Sequence, residues 1–224
     1  DEIGALARNE HDPLAGKLNM ALIPTIGPYL LPLVMRRIRK QLPQLKLMLY
    51  EYQTQPLLEK LRAGDIELGI LALPVPLDGL EARELYEEPF TVAVPTSSDL
   101  AKKQHLKVDD LNGETVLLLE DGHCLRDQAL DVCNRVDAKE SEDYRATSLE
   151  TLRQMVAAGL GITLLPELAT RGPFGSGHGL AVKTFTRPVP SRSVGAIWRK
   201  SSSRTQAINA ICDAISTAVK ESKK

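Results

Sequence analysis

The stretch Thr115–Val116–Leu117–Leu118–Leu119–Glu120–Asp121–Gly122–His123–Cys124–Leu125–Arg126–Asp127–Gln128–Ala129 decides the fold class. Its opening residues are apolar with a β-branched start, the pattern of a buried strand. Glu120, Asp121 and Gly122 turn the chain, and Leu125, Ala129, Val132, Cys133 and Val136 then recur at helical spacing. Cys124 therefore falls in the first turn of a helix. Backbone N–H groups without intrahelical partners and the positive end of the helix dipole favour a thiolate there. His123 and Arg126 add donors beside it.

Outward from this stretch the strand-to-helix unit repeats. On the N-terminal side, Leu18, Met20 and Leu22 alternate as a strand, and Pro28 opens a helix with Leu31, Val34, Met35, Ile38 and Leu42 on its apolar face. Leu45–Tyr52 alternates as a second strand; Thr54 is placed to cap the next helix, with Gly64 after its end. Ile66–Leu73 makes a third strand. The β-α-β-α-β order implies parallel pairing with right-handed crossovers. Pro74, Pro76 and Pro89 interrupt the chain before a strand at Phe90–Val94.

On the C-terminal side, a short strand is expected near Tyr144–Ala146, then a helix over 148–158 and a strand at Ile162–Leu165. Thr147 and Glu150 read as a capping box for that helix, and Gly159 ends it. Residues 171–179, with four glycines, read as a surface loop and not as a phosphate cradle, because no strand-loop-helix follows. Val194–Trp198 is the final strand. Ile208, Ile211, Cys212, Ile215 and Val219 stripe the last helix.

Composition bounds the class. The chain has 224 residues, enough for one large or two small domains, with 43% hydrophobic and 25% charged residues, as in a soluble globular protein. A net charge of −1 without a basic stripe argues against direct nucleic-acid binding by this segment. Neither a signal-type h-region after Asp1 nor an apolar run of about 18 residues is present, so a cytoplasmic protein off the membrane is expected. Three cysteines are odd and few, which fits one or two working thiols better than a disulfide framework.

Cys212 sits on an apolar stripe and reads as core; Cys133 flanks another and reads the same way on its own. Cys124 stands open between a structural and a reactive thiol. His123, Cys124 and Asp127 lack further ligands at metal-binding spacing, so no metal and no cofactor is expected. His11, His105 and His178 lie in polar, loop-like segments. Thr25 and Thr54 are, by default, turn and cap residues, although strand ends and helix starts converge on one crevice in an open parallel sheet.

The segment Glu120–Asp121–Gly122–His123–Cys124–Leu125–Arg126–Asp127–Gln128–Ala129 with Cys133 resembles the redox segment of the peroxide-sensing LysR-type transcription regulators. Two more stretches match: Leu22–Ile23–Pro24–Thr25–Ile26–Gly27–Pro28–Tyr29–Leu30–Leu31–Pro32 and Arg145–Ala146–Thr147–Ser148–Leu149–Glu150–Thr151–Leu152. The likeness runs from about residue 14 to the C-terminus and lacks the family's winged helix-turn-helix, so a regulatory domain alone is expected.

The resemblance implies an α/β fold of two subdomains with a double crossover, like LysR-type effector domains and periplasmic binding proteins. The expected division is linker 1–13, subdomain I over 14–88 and 193–224, and subdomain II over 89–192. It implies that Cys124 and Cys133 are redox-active and that Thr25, Thr54, His123, Arg126, Asp127 and Arg192 serve a peroxide site. No histidine stands at Asp143–Tyr144, so no relay through that position is implied. Expected partners are hydrogen peroxide, a second copy (a homodimer, tetrameric in the full-length protein), RNA polymerase, glutaredoxin or thioredoxin as reductant, and DNA only through the missing N-terminal domain. The competing readings are a thiol peroxidase and a LysR-type domain for a small anionic effector.

A lowered thiol pKa is not enough for a sensor. A shift from ~8.5 to ~6 raises the thiolate fraction roughly thirtyfold at neutral pH but costs about tenfold in nucleophilicity. Further acceleration requires donors aimed at the peroxide oxygens.

Overall fold

The computed structural model describes residues 12–172, 175 and 177–223, and at Glu142 the backbone alone. The linker expected over 1–13 lies outside these residues except for Asp12 and Pro13, as does His11. The chain divides into two compact units. One holds the described residues up to Tyr86 and those from Ser193 onward; the other spans Glu87–Arg192.

In the first unit, β1 (Gly16–Leu22), β2 (Leu45–Glu51) and β3 (Leu68–Leu73) pair in parallel in the order β2-β1-β3. β10 (Ser191–Arg199) adds antiparallel to β3. Helix α1 (Gly27–Gln41) crosses from β1 to β2 and α2 (Thr54–Ala63) from β2 to β3; α5 (Thr205–Ser222) closes the chain and packs against α1. These are the crossovers that the alternating pattern implies. The α1 stripe is turned from the expected one: Leu30, Val34 and Ile38 are buried, whereas Leu31 and Met35 are half-buried. The alternate leucines of β2 do not all point inward, since β2 ends the sheet and leaves Leu49 and Tyr50 exposed.

Close packing of α2 on β3 depends on Gly69. A Cβ there would lie 2.5 Å from Leu57 Cδ2 and 3.0 Å from Leu61 Cδ1, so even a methyl group would force those leucine side chains to repack. Gly64 ends α2 in the left-handed conformation. The start of α2 differs from expectation. Thr54 is the helix's first residue and the N-cap is Gln53, without a side-chain cap bond; the Thr54 hydroxyl is buried and makes no hydrogen bond.

In the second unit, residues Phe90–Pro95 of β4 (Leu80–Pro95) pair antiparallel with β8 (Thr163–Pro166) and with β9 (Leu180–Phe185). The short β5 (His105–Leu106) extends β9 in parallel. β6 (Thr115–Leu119) and β7 (Lys139–Ala146) form a separate parallel pair, joined by α3 (Cys124–Cys133), and α4 (Leu149–Ala157) packs on β6. β4 is far longer than the strand expected at Phe90–Val94, and it takes in Pro89. Pro89 has no N–H to give to a ladder; pairing continues at Phe90, whose N–H donates to the Pro190 carbonyl at 2.8 Å. The cap of α4 is Ser148, not Thr147: Ser148 Oγ accepts from the Thr151 N–H at 3.2 Å.

The core of each unit is aliphatic, with Leu18, Met20, Ile70, Ile211 and Ile215 in the first and Val92, Leu117, Leu152 and Leu165 in the second. Among the described residues, no helix is long and apolar enough to cross a membrane.

Candidate functional site

β6 delivers the chain to the site. After Leu119, the Glu120 N–H donates to the Ala146 carbonyl at 2.9 Å, which ties the turn to the end of β7. Gly122 then takes φ +93°, a conformation that a side chain would oppose, and this reversal aims the chain into α3. His123 is the N-cap and is buried; its carbonyl accepts from the Arg126 N–H at 2.9 Å. Cys124 is the first residue of the helix and is half-buried. First-turn amides point their hydrogens toward the region beyond a helix start and favour negative charge there.

Cys133 is the last residue of the same helix and is buried. Burial, reinforced by the nearby Glu140 carboxylate, pushes its thiol up to about 11. Cys212 is buried in α5, and burial pushes it up to about 12. All three thiols are free, and Cys124 is the one with access to solvent. Nine positions of α-helix separate Cys124 from Cys133, about 13 Å along the axis and on opposite sides. A disulfide needs Cα atoms within roughly 7 Å, so the two cannot join while α3 is intact.

A cluster of charges surrounds the helix start. Arg126 Nη1 lies 3.2 Å from Asp121 and 3.4 Å from Asp127, while Nη2 lies 3.4 Å from Glu140 Oε1. Arg145 reaches the same Glu140 oxygen at 2.8 Å. Arg126 is thus engaged with carboxylates. Arg192 is also committed, because its Nε and Nη2 meet Glu88 Oε2 at 2.9 and 2.8 Å. Glu88 Oε1 accepts from the Leu168 N–H at 3.1 Å, so that carboxylate is held from both sides.

The structure brings His123, Cys124, Arg126 and Asp127 onto one helix start in the second unit, with Cys133 at the far end of the helix. Thr25 and Thr54 belong to the first unit. There they share one edge of the sheet, just past the paired ends Leu22 and Glu51 of β1 and β2, and Thr25 is buried. Glu140, Arg145 and Glu88 were not singled out by sequence reasoning. Lys139–Glu140–Ser141–Glu142–Asp143 reads as a solvated charge run, and nothing local marks the partners that Glu140 finds. Among the described residues, no group of three or more His, Cys, Asp or Glu side chains is placed to hold a metal.

Residues 11–220 match the LysR substrate binding domain model. A hydrogen peroxide-inducible genes activator of Haemophilus influenzae is 39% identical over 215 residues, which is 96% of this chain and 71% of that protein. The crystal structure of the oxidized form of OxyR superposes with a TM-score of 0.85 at 39% identity, covering 93% of this chain and 98% of that one. The reduced form of OxyR gives 0.83 at 38% identity, with the same coverage. The chain belongs to the LysR substrate binding domain family, as a relative of OxyR.

Proposed function

We propose that this chain is the hydrogen-peroxide-sensing regulatory domain of a LysR-type transcription regulator. One observation carries the reading: a single helix begins on an accessible cysteine and ends on a buried one. Relatives that are peroxide-inducible activators, and an OxyR known in oxidized and reduced forms, support it.

The chemistry proceeds in two steps. The Cys124 thiolate attacks one peroxide oxygen, the O–O bond breaks, and hydroxide leaves; sulfur is oxidised to a sulfenic acid and the peroxide oxygen is reduced. Cys133 then attacks the Cys124 sulfur and water leaves, so one peroxide and two thiols give one disulfide and two waters. A dithiol reductant of the glutaredoxin or thioredoxin class resets the domain. This is stoichiometric sensing and not turnover. The second step requires α3 to unwind, and that rearrangement is the signal passed to a second copy, to RNA polymerase and to DNA through an N-terminal domain.

His123 and the first-turn amides adjoin Cys124 at the helix start, and in this reading they stabilise charge on the departing oxygen. Arg126 acts through its carboxylate partners, which fix the helix start. The roles assigned from sequence to Thr25, Thr54, Asp127 and Arg192 toward peroxide stay part of the proposal, each open to test by substitution.

Mass spectrometry of tryptic peptides after near-stoichiometric peroxide tests the reading. The expected product is a disulfide linking Cys124 to Cys133, with Cys212 still a thiol. Consumption of many peroxides per chain in the presence of thiol would make the protein a peroxidase instead. A ligand response that survives Cys124→Ser would make it an ordinary effector-binding domain.

A further inference from the structure

Glu140 lies at an irregularity of the β6–β7 pair. Val116 pairs with Glu140 and Leu118 with Arg145, so two steps along β6 correspond to five along β7. The extra residues interrupt the regular register, and Glu140 and Arg145, on either side of the interruption, form a 2.8 Å ion pair. The carboxylate is therefore fixed before it meets Arg126, two residues past Cys124. Of the three acids on Arg126, Asp121 and Asp127 have side chains 83% and 77% exposed, whereas Glu140 is 28% exposed. Solvent screens the first two; the third is the effective hold on the helix start. Its grip is incomplete, because Arg126 Nε is buried without a hydrogen bond.

Glu140 also bears on the other end of α3, where its negative charge disfavours a thiolate at Cys133. Both actions favour the same state. Attraction to Arg126 keeps the first turn wound, and repulsion adds to the burial that keeps Cys133 protonated.

We propose that Glu140 is a positioning residue that holds α3 closed in the reduced protein and so sets the rate at which Cys133 reaches Cys124. The proposal rests on the two-step reading given above. Glu140 contacts no peroxide in this scheme, so it bears on the second step, which requires α3 to unwind, more than on the first.

The test compares the parent chain with Glu140→Gln, which keeps the shape and removes the charge. Sulfenic acid on Cys124 is trapped with a cyclic 1,3-dione, disulfide is counted by alkylation and mass spectrometry, and amide exchange is followed in the reduced protein without oxidant. The expected outcome is a first step changed less than the second, a disulfide step faster by about threefold, and faster exchange across 125–133, in line with loss of one partly exposed ion pair. Asp121→Asn should do less. A disulfide step that is equal or slower, with exchange unchanged, overturns the proposal. A generalised acceleration of both steps and of exchange outside α3 also overturns it, since that marks a packing defect.

A second measurement needs no substitution. Exchange across 125–128 in the parent chain should rise between low and high sodium chloride, and indifference to salt counts against the latch. If the parent chain forms no sulfenic acid with peroxide, the sensing reading fails, while faster exchange in Glu140→Gln still supports Glu140 as the hold on α3.

Discussion

Arg192 and Glu88 form an ion pair in which both side chains are almost wholly buried, 1% and 2% exposed, with two guanidinium nitrogens on one carboxylate oxygen. A pair this dry adds little net stability against an apolar replacement, but breaking it strands a charge. Arg192→Met is therefore expected to lower the unfolding free energy by about 3–5 kcal/mol. Urea unfolding measures it, and the double change Glu88→Leu/Arg192→Met should recover most of the loss. A single variant as stable as the parent would mean that water reaches Glu88.

Thiol labelling should separate the three cysteines. Cys124 is expected to react first with a small alkylating agent at neutral pH, since Cys133 and Cys212 are buried. Cys133 should become reactive only as pH climbs toward 11, and Cys212 toward 12. Earlier labelling of Cys212 than of Cys124 would count against the accessibility that the helix start gives.

The same shifts predict alkaline sensitivity. Both thiols lie above the ordinary value of 9.0, so the folded protein holds protons that the unfolded chain gives up. Stability from this source is complete below about 9 and is lost as pH rises through 11 to 12. Cys133→Ala combined with Cys212→Ala should flatten the high-pH limb of a stability profile. A limb of unchanged slope would place the alkaline loss elsewhere.

Oxidation should dismantle α3. Hydrogen exchange is expected to show lost protection across 125–133 once the bond between Cys124 and Cys133 forms, with the turn at Asp121–Gly122 drawn in. A disulfide-containing protein that keeps helical protection there would contradict the geometry of two cysteines nine positions apart on one helix.

The cap of α4 offers a plain check on local structure. Ser148→Ala should cost about 1 kcal/mol, the usual value of a lost N-cap, because Ser148 Oγ accepts from Thr151 N–H. Thr147→Ala should cost much less. Equal losses would point to a frayed helix start with both residues sharing the cap.

Local patterns in the sequence were enough for β6, the start of α3, the parallel β1-β2-β3 set and the stripe of α5, because each depends on periodicity within one segment; α3 ends at Cys133, short of the Val136 that its stripe was expected to include. The length of β4 was not legible: its partners in β8 and β9 lie between 70 and 93 residues away in sequence, and Pro89 reads locally as a break. β9 follows the glycine-rich loop with no clean alternation, as Ala181, Val182 and Lys183 are all half-buried. Thr54 reads as a cap because one-residue shifts at a helix start are invisible to composition. At the candidate site, Cys124 stood out by its polar turn. Glu140 and Glu88 did not, since each takes its meaning from a partner 14 or 104 residues distant.

A helix with a cysteine at each end has a property that neither thiol has alone. Once the ends are tied, the segment between them cannot regain its original winding, however long the oxidant has been gone. The proposed disulfide would therefore keep a memory of the encounter. Its lifetime is set by the supply of reductant and not by the decay of peroxide. A domain built this way responds to a pulse and stays switched until it is actively cleared, so its output follows the history of exposure more than the concentration at any instant.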